Sequence, residues 1–358
     1  MKLFKKCCVL LALLLVCTIC LSGCGNSKTN ELSDDEISEI QSVLEEGQNN
    51  DEDVEEPEIY ADKVWDPELT KGKFVIYTIR ATNEYQFATG TTHAGDAALV
   101  VTPDGKTMLI DLNVPTNGAY IVDALKKLGI TELDYLVLSH PHIDHLGGIS
   151  IVARYIKIHE MLTNGAQYES SADWRNMRKI VEENNIAVTY VYEGDEFMFG
   201  EEVKVNIYNP PRDFEHMNGT AAQNNGSILM KMTYKDATFL TGGDLYAAQE
   251  TEILKKYTEE LHVDVAKMNH HGYGTSNIRE WVKAVSPKIA YAQMTSVTSD
   301  VVIGRYQAQG SVILHTALDG PFAIFTDGNG TWEVQTSKDR WIETFGTNDM
   351  KDGYMTVK

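Results

Sequence analysis

From Lys73 onward, short apolar bursts alternate with stretches whose apolar residues recur at helical spacing. Phe74 to Ile79 predicts a strand. Residues 98–102 and 106–111 predict a hairpin that turns at Asp104-Gly105. A helix over 120–128 and a strand over 133–138 follow, then helices over 147–157 and 171–185 and strands over 187–193 and 203–208. Residues 227–233 and 237–241 predict a second hairpin around Lys235-Asp236. Next come helix 245–259, strand 263–268, helix 276–285 and strand 288–294. Residues 322–326 and 332–336 close the series as a hairpin turning at Gly328-Asn329-Gly330. Hairpins mixed with helical crossovers predict an α/β layered fold large enough to bury a full core.

Ahead of this body the pattern differs. Lys2, Lys5 and Lys6 precede an uncharged apolar run, Cys7 to Leu21, which is shorter than the roughly 20 residues of a spanning helix. Small residues then lead into Cys24, the layout of a secretory signal. Leu21-Ser22-Gly23-Cys24 resembles the lipobox of bacterial lipoproteins. That resemblance implies a signal peptide over 1–23, lipid on Cys24, and a body held at the outer face of the bacterial cell membrane. Residues 24–70 predict an acidic, disordered tether, because 16 acidic side chains between 31 and 70 face one base, Lys63. Residues 71–340 predict a single folded domain, and 341–358 a tail.

Charge and cysteine usage narrow the chemistry. The chain carries a formal −21; residues 31–70 contribute −15 and Lys2, Lys5, Lys6 and Lys28 contribute +4, leaving −10 for residues 71–358. So acidic a surface is a poor match for nonspecific binding to DNA or anionic membrane. All five cysteines lie within the first 24 residues. The body therefore has no disulfides, no thiolate metal site and no cysteine nucleophile. It also lacks a P-loop, a GxSxG elbow and a dinucleotide fingerprint.

One segment concentrates chemistry. Directly after the strand ending at Leu138 comes Ser139-His140-Pro141-His142-Ile143-Asp144-His145-Leu146-Gly147-Gly148. Three of the ten histidines fall within six residues, around a carboxylate. A strand end feeding a loop and a helix is where a rigid scaffold presents ligands. His140 and His142 can face one side while Asp144 and His145 face another, which suits two adjacent cations better than one. Imidazole and carboxylate without thiolate suit zinc, manganese or iron.

This segment resembles the HxHxDH signature of the metallo-β-lactamase fold, an αββα sandwich. Further features match in order over about residues 73–337. Asp111 closes an early strand, Phe239-Leu-Thr-Gly-Gly-Asp244 ends a central one, and Val263 to Met268 leads into Asn269-His270-His271-Gly272. Gly95-Asp96 before the first hairpin, Asn225-Gly226-Ser227 and His-His-Gly look most like the branch containing ComEC-type competence proteins and bacterial choline-phosphate esterases. The resemblance implies two divalent cations, with zinc first and manganese or iron as alternatives. His140, His142 and Asn225 would take the first metal, and Asp144, His145 and His271 the second, with Asp244 bridging. Asn224 is the other candidate for the third ligand of the first metal. Asp144 and His270 would be the catalytic residues, His270 lining the substrate site, and Asp96 and Asp111 would support the ligands.

There are departures from the family pattern. The stretch Gln223 to Ser227 has no histidine where many members have the third ligand, and a His-Pro expected near 297–305 is missing. The implied activity is hydrolysis of a phosphodiester by a metal-bridging hydroxide. The substrate would be a small molecule or an envelope polymer, with nucleic acid a further option. The alternative is a non-catalytic or accessory metal-binding module of an envelope or DNA-uptake complex.

Overall fold

The computed structural model describes residues 61–79, 95–214, 219–297, 299–337 and 352–358. The expected signal peptide, Cys24 and the tether as far as residue 60 lie outside them. Glu58 to Lys358 makes one compact unit.

Two sheets form the centre. The first contains, in spatial order, β16 (Tyr354–Val357), β15 (Trp332–Thr336), β14 (Phe322–Thr326), β1 (Phe74–Thr78), β2 (Ala98–Val101), β3 (Thr107–Ile110), β4 (Glu132–Leu138), β5 (Lys157–Thr163) and β6 (Ala187–Tyr190). The second runs β13 (Val312–His315), β12 (Ile289–Ala292), β11 (Val265–Lys267), β10 (Ala237–Thr241), β9 (Leu229–Tyr234), β8 (Val203–Asn209) and β7 (Glu196–Phe199). Strands β3 to β6 are parallel, as are β10 to β13, and the other pairs are antiparallel.

Side-chain alternation builds the layers. Phe74 and Ile76 of β1 pack with Val205, Met232 and Phe239 between the sheets. Val75 and Tyr77 of the same strand turn outward into a second cluster, which also contains Ile121, Leu125 and Trp174 of helices 118–127 and 172–183. On the far side Leu240, Ala266 and Ala290 pack against Trp281, Val282 and Tyr306 of helices 279–285 and 300–307. The result is helix, sheet, sheet, helix, the expected αββα sandwich.

Both expected boundaries move outward. Residues 61–70, placed in the tether, form short helices Ala61–Val64 and Pro67–Thr70. Val64 is fully buried, Trp65 stacks on Tyr77 at 5.7 Å between ring centres, and Thr70 shares a 2.7 Å hydroxyl bond with Tyr77. The acidic composition upstream masked an apolar contact that only the sheet surface completes. At the other end, Tyr354–Val357 is a strand rather than a tail, pairing from Trp332↔Val357 to Gln335↔Tyr354.

The helix expected over 147–157 is two helices, Ile143–Leu146 and Ile149–Tyr155, and the chain from Lys157 is strand β5. Gly147 and Gly148 lie between the helices with ordinary negative φ, so close packing rather than a special turn demands them. A Cβ on Gly148 would lie 2.3 Å from the Leu112 carbonyl oxygen. Strands β5, β7 and β13 and helix 300–307 have no counterpart in the periodicity reading, because parallel and edge strands this short carry little alternation of their own.

Candidate metal centre

The strands deliver their chemistry at one edge. Asp111 follows β3, the His140–His145 segment follows β4, Asp244 follows β10, and His270-His271 follows β11. All four strands present their carboxyl ends there, the usual binding edge of parallel sheets. Glycine allows the approach of the sheets. Gly243 has φ 51°, and a Cβ on it would sit 2.8 Å from Ser139 Oγ. Gly95 packs so closely on the Asp144 backbone that a Cβ would fall 1.5 Å from its carbonyl oxygen.

Carboxylates and a hydroxyl orient the imidazoles. Asp111 accepts from the Ser139 N–H at 2.8 Å, the Ser139 hydroxyl at 2.7 Å and His145 Nδ1 at 2.8 Å. His271 Nδ1 donates to Asp96 Oδ1 at 3.1 Å, and His140 Nδ1 donates to Ser139 Oγ at 3.1 Å. With each Nδ1 engaged, each Nε2 points inward. His145 Nε2 lies 3.2 Å, His271 Nε2 3.3 Å and His140 Nε2 3.9 Å from the single atom Asp244 Oδ2. Asp144 Oδ2 is 3.4 Å from His271 Nε2 and 3.8 Å from His145 Nε2. His140 Nε2 and His142 Nδ1 are 2.9 Å apart.

Two lobes result: His140 with His142, and Asp144 with His145 and His271. Asp244 stands between them. The donor set fits divalent cations. Among the described residues, His145 Nε2 and Asp244 Oδ1 are buried with no hydrogen-bond partner, and the inward atoms are imidazole nitrogens and carboxylate oxygens.

Asn225 and the other candidate for the third ligand, Asn224, both lie in helix Thr220–Asn225. Asn224, at the end of helix Thr220–Asn225, is buried, and its side chain contacts His142 and Tyr246. Among the described residues, neither Asn224 Oδ1 nor Asn225 Oδ1 has a hydrogen-bond partner. The Asn225 backbone carbonyl instead accepts from Asn209 Nδ2 at 2.9 Å, on the side of β8. Consecutive residues on a helix diverge, so only one can face the imidazoles.

Residues 90–295 match the family model described as the Metallo-beta-lactamase superfamily. The chain belongs to the metallo-β-lactamase superfamily. It is 28% identical over 255 residues to the competence protein ComA of Neisseria gonorrhoeae, covering 69% of this chain and 33% of that protein. It is 24% identical over 212 residues to the ComE operon protein 3 of Bacillus subtilis (strain 168), covering 59% of this chain and 26% of that one. These relatives agree with the expected competence-type branch, and the chain spans about a third of their length or less. Among solved structures, the metallo-beta-lactamase fold protein YhfI from Bacillus subtilis matches at 12% identity and a TM-score of 0.44, covering 68% of this chain and 96% of that one.

The carboxylates around the imidazoles favour positive charge at the centre. Burial pulls the pKa of His145 down, but Asp244, Asp111 and Asp144 outweigh it and hold the imidazole well above its usual range. His271 is likewise raised against its burial, by Asp244 and Asp96. Burial lowers His140, and the neighbouring His145 and His142 lower it further. Divalent cations would replace these protons, since metal ligands bind as neutral imidazole.

His270 and His271 adopt left-handed φ of 48° and 52°, uncommon outside glycine and a mark of functional strain. Asp96 holds one ring, and the His270 N–H donates to the Gly243 carbonyl at 3.1 Å. His270 Nε2 stands 4.0 Å from Asp244 Oδ2, at the mouth rather than in a lobe. Burial lowers its pKa to about 4, so it is neutral at pH 7. Its ring packs 4.8 Å from Tyr246 and 5.0 Å from Tyr273.

The residue that periodicity missed is Lys267. The strand it ends reads as continuous apolar core apart from Asp264 and this lysine. Its side chain is 3% exposed, and its ammonium lies 2.5 Å from Asp96 Oδ2 and 4.0 Å from Asp244 Oδ1. A lone cation in a buried strand beside a metal motif was the available signal.

Proposed function

We propose that the protein is an extracytoplasmic dinuclear metallohydrolase that cleaves phosphodiesters while anchored to the membrane through lipid on Cys24. The observation that carries this reading is the convergence of His145 and His271 Nε2 on Asp244 Oδ2, beside the adjoining His140–His142 pair. His140, His142 and Asn224 would hold one cation, Asp144, His145 and His271 the other, and Asp244 both. Two bound divalent cations supply a water of lowered pKa and a positive clamp for a phosphoryl group.

The chain's own residues do the rest. Asp111 and Asp96 keep His145 and His271 in the tautomer that offers Nε2. Asp144 and Asp244 fix where positive charge is held. His270, neutral at the mouth, can donate a hydrogen bond from Nε2 to an oxygen that develops charge, while its Nδ1 is held by Thr275 Oγ1 at 2.5 Å. Tyr246 and Tyr273 flank His270 at the mouth. Zinc is the first choice of metal, with manganese or iron next. A small diester or an envelope polymer suits the acidic body better than a long nucleic acid.

The test is the metal content of the purified chain with a diester assay on bis(4-nitrophenyl) phosphate, beside His142→Ala and Asp244→Ala. Two equivalents of metal in the parent, fewer in both variants, and hydrolysis lost with the metal are the expected results. A folded chain that takes up no metal after reconstitution sinks the reading. The share of the longer competence relatives that this chain spans favours a second reading, an accessory module of an envelope or DNA-uptake complex. A cellular function that survives Asp144→Ala would support it.

A further inference from the structure

Among the described residues, four carboxylates are gathered at the centre: Asp96, Asp111, Asp144 and Asp244. The side chains of Asp96, Asp111 and Asp244 are at most 3% exposed and that of Asp144 is 14% exposed. One ammonium, Lys267, is buried with them. It is held at 2.8 Å by the Gly243 carbonyl and at 3.2 Å by the Met268 carbonyl, and it faces Asp96 and Asp244. With neutral imidazoles and two divalent cations, these groups sum to a formal charge of +1. Without Lys267 they sum to zero. Asp96 lies within 4.8 Å of ligand atoms of His145, Asp244 and His271, close enough to join a metal itself. The ammonium engages Asp96 Oδ2, and Asp96 Oδ1 lies on His271.

We propose that Lys267 sets the charge of the loaded centre at +1 and thereby gives it affinity for a phosphate-type anion. This rests on the dinuclear reading above. It explains how a body of formal charge −10 can hold an anion: the attraction is local, behind the metals, and leaves the surface acidic. Lys267 touches no substrate in this scheme and is a positioning and charge-setting residue.

The experiment is a charge series in the full chain, loaded with metal and freed of excess. Phosphate binding is measured by calorimetry, and metal content is measured alongside. Lys267→Met lowers the centre by one charge, Asp96→Asn raises it by one, and the double variant restores it. Lys267→Met is expected to keep two metals and bind inorganic phosphate at least about tenfold more weakly, since one unit charge a few ångströms away is worth that much in a partly buried site. Asp96→Asn is expected to bind phosphate more tightly, and the double variant to return to within about threefold of the parent. A metal-loaded Lys267→Met with parental phosphate affinity, or a double variant as weak as Lys267→Met, overturns the proposal. If Lys267→Met fails to fold, the double variant removes the pair without leaving a lone buried charge, and Asp96→Asn against the parent still reads the effect. A metal-loaded parent that binds no phosphate overturns both the diester reading and this role. A parent that binds phosphate while the series falls out of order overturns the role of Lys267 alone.

Discussion

Asp111 Oδ2 lies 2.8 Å from His145 Nδ1, and the same carboxylate accepts from both the N–H and the hydroxyl of Ser139. One residue, itself at φ 61°, thus orients two imidazoles: His145 directly, and His140 through Ser139 Oγ. Asp111→Ala should weaken metal binding about 10–100-fold, the usual cost of losing an orienting carboxylate. Competition with a chromophoric chelator measures it. Asp111→Asn, which keeps an acceptor for His145, should lose less; equal losses would mean that charge rather than orientation matters.

Asn224, whose side chain contacts His142, and Asn225 can be told apart by experiment. Asn224→Ala should reduce the bound metal towards one equivalent, whereas Asn225→Ala should retain two. Elemental analysis after gel filtration distinguishes them. Loss in Asn225→Ala alone would return the third-ligand role to that residue.

Gly95→Ala should damage both stability and the second lobe, because its Cβ would fall inside the Asp144 carbonyl. A backbone shift of this kind costs roughly 1–3 kcal/mol or more. Thermal unfolding should show the loss, and metal content should fall with it. A variant with parental melting and two metals would contradict the close approach.

Glu250 predicts a pH effect. Burial pushes its carboxyl up to about 7, against the pull of the Ile278 N–H, Asn269 Nδ2, the Asn277 N–H and Arg305. A folded pKa above the unfolded 4.5 contributes stability fully below pH 4.5, and that contribution is lost as pH rises through 7. Glu250→Gln should therefore gain on the parent between pH 4.5 and 8, by up to about 3 kcal/mol. Urea unfolding across that range measures the gap. A gap independent of pH would mean that the donors hold Glu250 ionised throughout.

Trp65→Ala should cost about 3 kcal/mol or more by emptying the stack on Tyr77. Chemical denaturation checks it. A neutral result would place residues 61–70 back in the tether.

Much of the site was legible before any coordinates. His140, His142, Asp144 and His145 sit so close together that one strand end must present them together, and local chain geometry suffices for that. Asp244 and His270-His271 were readable from strand ends followed by Gly-Gly or His-His, once the family pattern supplied the order. An α/β layered fold followed from period-2 bursts interleaved with helical spacing, and its αββα form from the family resemblance. Tertiary structure alone decided which donors meet. Asp111 and His145 are joined because β3 and β4 are parallel neighbours, and Asp96 reaches His271 across the gap between the sheets. It also turned Asn224 rather than Asn225 to His142, since the rotation of a single helical turn depends on what packs against it. Lys267 was invisible for the same reason: a cation in an apolar strand says nothing of its partner until β11 lies beside Asp96 and Asp244. Periodicity reports which face of an element is buried. It does not report which elements face each other, and these contacts depend on that long-range pairing.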